Sequence, residues 1–313
     1  MSEDIFGLLH WSDCCIERRH YAYLLIDGAL NEGQHRRLQV MGIRFTSLFE
    51  GTAEEHLPDV APWLIELTGL ALPQRQRLIQ WASVLARKLP CLSWYESSGA
   101  IDDFARHLRH FHCVGLSDHQ TMLMRWYDTR ILPVWMEVLT GPQRALFTRG
   151  MQSVACVDAD GAVRDLYASP TGQASGAAGV PDMPMLMLDD RQFALLLEAR
   201  ALDTLIHEIG LRAPGRWHRI AQARKLDFVA RHRDAALCAG VKDSERQLYY
   251  VLLAVFTSGK AAQHPAVMAL MQAPPEALPD FIDAIRQLPG EVFLTGEPLW
   301  MTEPIEDEAG GMA

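Results

Sequence analysis

Tyr21-Ala-Tyr-Leu-Leu-Ile26, closed by Asp27-Gly28, is the stretch that decides the fold. Six nearly uninterrupted apolar or aromatic residues ending in a turn pair read as a buried strand. Downstream, strand-like and helical patterns alternate. Ile43 to Phe49 reads as a second strand, closed by Glu50-Gly51-Thr52, and Trp63 to Leu67 as a third. Gln34 to Met41 reads as a short helix. Pro73 to Lys88 reads as a longer one, with Pro73 in the first turn and Leu78, Trp81, Ala82 and Leu85 forming its apolar stripe. Cys91 to Tyr95 is again strand-like. Asp102 to Cys113 is helical, Met122 to Tyr127 a strand, and Pro133 to Leu139 a helix. Ser153 to Val157 and Val163 to Tyr167 flank Asp158-Ala-Asp-Gly161, a hairpin signature.

The expected fold class is therefore an α/β (α+β) N-terminal lobe, a mixed sheet flanked by helices. After Ser169 to Pro184, a Gly/Ala/Ser/Pro-rich stretch with little to bury, every long pattern is helical. Asp189 and Gln192 have capping-box spacing, and Gly210 is a candidate stop for the helix they open. Further helices are expected near Arg216–Cys238, Asp243–Thr257, Pro265–Met271 and Pro275–Gln287. The expected domains are an α/β body at 1–168, a linker at 169–184, an all-α lobe at 185–301 and an acidic disordered tail at 302–313.

Composition narrows the function classes. The 313 residues are 49% hydrophobic and 22% charged, with a net charge of −10, so no nucleic-acid or anionic-membrane partner is expected. Six scattered cysteines without a C-x-x-C pair read as free thiols of a reducing compartment. The acidic N-terminus and the shortness of the apolar runs point to a cytoplasmic protein. No catalytic constellation emerges. Ser258-Gly259-Lys260 lacks the earlier glycine of a phosphate loop, Gly115-Leu-Ser117-Asp-His119 fails as a nucleophile elbow, and His207-Glu208 has Leu211 where a zinc-protease helix needs a second histidine. No catalytic residue, metal ligand or cofactor is assigned.

Two clusters remain. His107, His110 and His112 could serve a hydrolase-like enzyme, though the neighbouring Arg106 and Arg109 oppose a metal. Arg212 to Arg233 holds seven cations against Asp227, with Arg216, Arg219, Arg224 and Arg231 as candidate partner-binding residues. The alternatives for this stretch are a solvated helix face and, least favoured, a nucleic-acid surface.

Read as an ordered string, the first lobe resembles a known family. Tyr23-Leu-Leu-Ile-Asp27-Gly28-Ala29 comes first. Ser47-Leu-Phe-Glu50-Gly51-Thr52, Ala61-Pro-Trp-Leu-Ile-Glu-Leu67 and Leu92-Ser93-Trp94 follow. The signature is Met124-Arg125-Trp126-Tyr127-Asp128-Thr129-Arg130-Ile131-Leu132. This resembles the effector adaptors, or chaperones, of bacterial type VI secretion, whose shared domain was long catalogued as of unknown function. Thr129 stands where that family typically has proline. The resemblance spans about Tyr21 to Val154, and the helical lobe is more loosely similar. It implies a non-catalytic adaptor that binds a secreted toxic effector in the cytoplasm and helps load it onto the valine–glycine repeat spike protein (VgrG). The signature residues would be Asp27, Gly28, Glu50, Gly51, Arg125, Tyr127, Asp128 and Arg130, either building the fold or touching a partner. Arg125 could pair with Asp27 or Glu50, and Asp128 could cap the chain that follows. Along Met122 to Asp128 strand alternation would put Met122, Met124 and Trp126 on one face and Leu123, Arg125 and Tyr127 on the other. Pro133 should make the next helix start irregularly or late.

Overall fold

A computed structural model describes residues 6–158, 161–169, 184–213, 216–274 and 280–302. The chain divides into two compact units, 1–199 and 200–313. Apart from their end residues Ser169, Pro184 and Thr302, the expected linker and acidic tail lie outside the described residues.

Unit 1 runs α1 (Leu8–Glu17), β1 (Tyr21–Asp27), α2 (Gln34–Val40), β2 (Phe45–Ser47), β3 (Pro62–Glu66), α3 (Leu72–Ala86), β4 (Leu92–Ser97), α4 (Ile101–Arg109), β5 (Cys113–Gly115), β6 (Thr121–Leu123), α5 (Leu132–Val138), α6 (Gly141–Phe147), β7 (Met151–Val157), β8 (Val163–Ala168) and β9 (Leu186–Met187). Six strands form one sheet in the order β2-β3-β1-β4-β7-β8, antiparallel at every pairing. The mixed pairing expected of the main sheet occurs instead in a three-stranded one, β6-β5-β9, where β5 and β9 are parallel.

The apolar run at 21–26 is uninterrupted because β1 lies inside the sheet with helices on both faces. Tyr23 is paired with Tyr95 and Leu24 with Trp94, so each pair shares one face. Phe104 of α4 packs on Tyr23 and Tyr95. Trp11 of α1 packs edge-on against Trp94, on the opposite face. Both sheet edges are managed. Arg109 of α4 donates to the Ser47 carbonyl of β2 from Nε (3.1 Å) and Nη2 (2.7 Å). On β8, Leu166 has no partner in the ladder between Tyr167 and Asp165, a bulge that distorts this edge.

The hairpin between β7 and β8 forms as the sequence indicates. Gly161 has a φ of 78°, and Asp158 accepts from the Ala162 N–H (2.9 Å) and from Arg164 Nε (2.6 Å). Residues 159–160 of that turn lie outside the described residues.

The helix α7 (Asp190–Arg212) carries the chain from one unit into the other. The Asp189–Gln192 capping box is present in both directions, at 2.8 and 3.1 Å. Gly210, expected to stop the helix, lies inside it. A side chain there would crowd the Trp217 indole, so this glycine makes room for packing.

Unit 2 continues with α8 (Gln222–Cys238), α9 (Ser244–Thr257), α10 (Pro265–Gln272), α11 (Phe281–Arg286), α12 (Gly290–Phe293) and α13 (Leu299–Thr302). Its core gathers Ile209, Trp217, Phe228, Val229, Val251 and Ala254. The expected helix from Arg216 is broken. Trp217–Arg219 is a short 3₁₀ turn, and Ile220 and Ala221 are extended before α8 begins. Trp217 is buried in that turn and donates its indole N–H to the Ile206 carbonyl (3.2 Å), which fixes it to α7.

Candidate functional site

The C-terminal end of β1 builds the centre of the signature. Asp27 is fully buried and caps the turn that follows, accepting from the Ala29 N–H (3.0 Å). Arg125 Nη2 donates to its other oxygen at 2.6 Å and lies 3.9 Å from Asp128. Asp128, also fully buried, accepts from Arg130 through Nε (2.9 Å), Nη2 (2.7 Å) and the backbone N–H (3.1 Å). The four residues thus form an acid–arginine–acid–arginine cluster in which both carboxylates face inward. Burial pushes the Asp27 carboxyl up, and the adjacent Arg125 guanidinium pulls against that shift. Burial likewise raises the Tyr127 phenol, and with the charges of Asp27 and Asp128 pushes the Cys91 thiol up to about 12. Cys91 is therefore an unreactive thiol.

Gly28 is forced by this junction. Its N–H donates to the Ala61 carbonyl (3.2 Å), and a β-carbon there would overlap that same backbone oxygen, well inside van der Waals contact. Backbone cannot swing aside as a flexible side chain can. Gly28→Ala should therefore destabilise unit 1 by about 1–3 kcal/mol. Urea denaturation measures this, and an unchanged midpoint would show that the β1–β3 junction can open at no cost.

The signature is a turn, not the expected strand. The ladder ends at Leu123, and Met124 N–H donates to the His112 carbonyl (2.7 Å). Asp128 N–H then closes on the Arg125 carbonyl (3.1 Å), and Ile131 and Leu132 N–H both reach the Asp128 carbonyl (2.8 Å). Met124, Trp126 and Tyr127 are all buried. Pro133 is absorbed at the start of α5, where a missing N–H costs least.

Glu50 does not join the cluster, and of the two pairings considered for Arg125 the structure makes the one with Asp27. Glu50 instead meets Arg109 and accepts from the Thr46 hydroxyl (2.9 Å), tying α4 to the β2 edge. Gly51 has a φ of 74°, which a side chain would strain, and its N–H donates to Glu55 (3.2 Å).

The histidines point three ways. His107 is buried and its Nε2 meets the Phe147 carbonyl (2.8 Å); His110 Nε2 meets the Pro184 carbonyl (3.1 Å); His112 Nε2 meets Glu54 (3.0 Å). Among the described residues no group of three His, Cys, Asp or Glu is arranged to hold a metal.

Sequence reading missed another buried carboxylate. Glu96 of β4 accepts from Arg18 (2.8 and 2.9 Å) and meets His20 Nδ1 (2.7 Å). Its only signal was an acid inside a strand pattern. Burial opposes its ionisation, but the bonds from Arg18 and His20 outweigh that and hold its pKa below the usual value. Burial also holds His107 and His112 below the ordinary histidine value.

The pH dependence has one sign for all three groups. Each depressed pKa gives stability that is present above the unfolded value and lost as pH falls. The loss begins near 6.5 for the histidines and near 4.3 for Glu96. The urea midpoint should fall steadily between pH 7.5 and 5.5, and less so in His107→Gln. A flat midpoint over that range would mean the rings titrate freely.

Part of the basic stretch of unit 2 is engaged within the stretch itself. Arg224 and Arg231 both pair with Asp227, at 3.0 and 2.8 Å. The Lys225 ammonium lies over the Trp217 ring, and Arg233 is buried. Arg216 and Arg219 are exposed on the separate 3₁₀ turn.

A family model for a domain of unknown function (DUF4123) matches residues 22–146. No curated protein and no solved structure matches the chain. The matched segment begins within β1 and ends within α6, so it contains Asp27, Glu50 and the whole 124–132 turn.

Proposed function

We propose that this chain is a non-catalytic adaptor that holds a type VI secretion effector and presents it to the VgrG spike. The observation carrying this reading is the domain match over 22–146, which encloses the ordered string that resembles the adaptor family. The inward orientation of the signature charges fits it. Asp27 and Asp128 are spent on each other's arginines and on turn N–H groups, as parts of a scaffold that presents a surface. The histidines on which an enzyme reading would rest are held by two backbone carbonyls and one carboxylate. We further propose that the chain works in the cytoplasm. No helix among the described residues is long and apolar enough to cross a membrane.

The test is co-purification of the tagged chain with effector and spike proteins from the cell that encodes it. Recovery of both, and loss of effector from the spike on deleting this chain, is the expected result. Recovery of neither refutes the reading. Turnover of a small substrate that His107→Ala and His110→Ala abolish without unfolding would replace it with an enzyme.

A further inference from the structure

The small sheet β6-β5-β9 has one packed face and one open face. Val114 of β5 and Leu186 of β9 are neighbours in the ladder, and both are buried. Alternation puts Cys113 and Gly115 of β5 on the other face. Leu123 and Thr121 of β6 are their partners on one side, and Met187 of β9 is the partner of Gly115 on the other. This face is open to solvent: Leu123, Met185 and Met187 are 36%, 44% and 50% exposed.

The open face is rich in sulfur. A β-carbon at Gly115 would overlap the Met187 sulfur and stand 3.6 Å from the Met185 sulfur. Both thioethers therefore lie over one point of β5, in space that a glycine leaves free. Met185 immediately precedes β9, so the register continued by one residue brings it alongside Cys113, whose thiol is half-buried on the same face. Methionine usually earns its place by filling irregular apolar gaps, but two half-exposed thioethers fill none. Their chemistry offers another use. A thioether is a soft, neutral donor, and together with a thiolate it selects copper(I) over magnesium, calcium or manganese. The described residues hold no group of three His, Cys, Asp or Glu that would suit a harder ion.

We propose that Cys113, Met185 and Met187 form a site for copper(I) on the open face of the small sheet, held by one thiolate and two thioethers. The Cys113 thiol gives up its proton to water as its sulfur binds, and no electron is transferred. Unbranched methionine side chains can swing onto the ion without moving the strands. The bound ion ties β9 to β5 where their ladder is only two residues long, just ahead of α7. The site lies within unit 1 and holds whether or not the chain is an adaptor.

Copper(I), supplied oxygen-free from a competing chelator to the full chain with isotope-labelled methionine methyl groups, tests it. The Met185 and Met187 methyl resonances, identified through the single leucine variants, should shift with the first equivalent of metal while the other methionines stay in place. Met185→Leu/Met187→Leu keeps the apolar bulk, so the urea midpoint of the metal-free chain should not change. That variant and Cys113→Ser should each hold the first copper(I) at least about tenfold more weakly. Zinc(II) alone should leave both methyl groups unmoved. First uptake by another thiol such as the exposed Cys238, with both methyl groups unmoved, would overturn the proposal. So would unchanged affinity in either variant, or an equal response to zinc(II).

Discussion

Arg125→Met should cost unit 1 about 3–5 kcal/mol at neutral pH, because it removes the partner of a fully buried carboxylate and leaves the charge behind. The loss should shrink as the solution is acidified. Burial already raises the Asp27 carboxyl, and without the guanidinium it rises further. A carboxyl raised in the fold favours the folded state below its unfolded value, near 3.9, and penalises it as pH climbs through the folded value. The gap between wild type and Arg125→Met should therefore be widest near pH 7 and narrow toward pH 5. The double variant Asp27→Asn/Arg125→Met should lose less than Arg125→Met alone, because no charge is then stranded. Urea denaturation of the three proteins across that range decides the matter. A double variant that loses the sum of both singles would mean that Asp27 and Arg125 act on the fold separately.

The same pair shows where sequence reading reached and where it stopped. Asp27 and Arg125 were legible as partners because both lie where regular patterns end and a buried charge needs an opposite. Choosing Asp27 over Glu50 was not possible, since the choice depends on α4 delivering Arg109 to the β2 edge. Met124 to Tyr127 has strand-like composition, and nothing in its periodicity shows that Asp128 will fold the chain back on itself with its carbonyl and carboxylate together. The helix α1 carries a short signal, Leu8, Trp11 and Cys15 at i, i+3 and i+7. It opens at Gly7 in a left-handed conformation without a side-chain cap, and it depends on Leu8, Trp11 and Cys15 packing on the sheet. Another feature was readable and passed over. Arg224, Asp227 and Arg231 stand at the 3 and 4 spacing of helical ion pairs, so these two arginines share one carboxylate.

These results bear on what the domain match means. The matched segment holds Asp27, Arg125, Asp128 and Arg130, which bind one another inside unit 1, so substitutions there are read first as changes in folding. The outward-facing side chains of unit 1 are then the place to seek partner contacts, and the signature is the place to seek loss of folding. An Arg125 variant that failed to bind an effector would say nothing about contact unless its stability were measured beside it.

Phe147→Ala should be as costly as the Arg125 change, about 3–5 kcal/mol, but with a different signature. The Phe147 ring is fully buried at the end of α6, where Phe111, Trp126 and Trp135 meet it edge-on at 5.0, 5.2 and 5.9 Å. Three segments, the end of α4, the signature turn and α5, thus converge on one ring, and its loss leaves a cavity that none of them can close alone. The Phe147 carbonyl is untouched by the substitution, so the His107 bond survives. The penalty should therefore be nearly constant between pH 7.5 and 5.5, in contrast to Arg125→Met, whose penalty shrinks with acidification. Phe147→Leu should recover more than half of the stability by refilling most of the volume. A Phe147→Ala penalty below about 1 kcal/mol would mean that the rings collapse onto one another freely, and the signature turn would then be held by its charges alone.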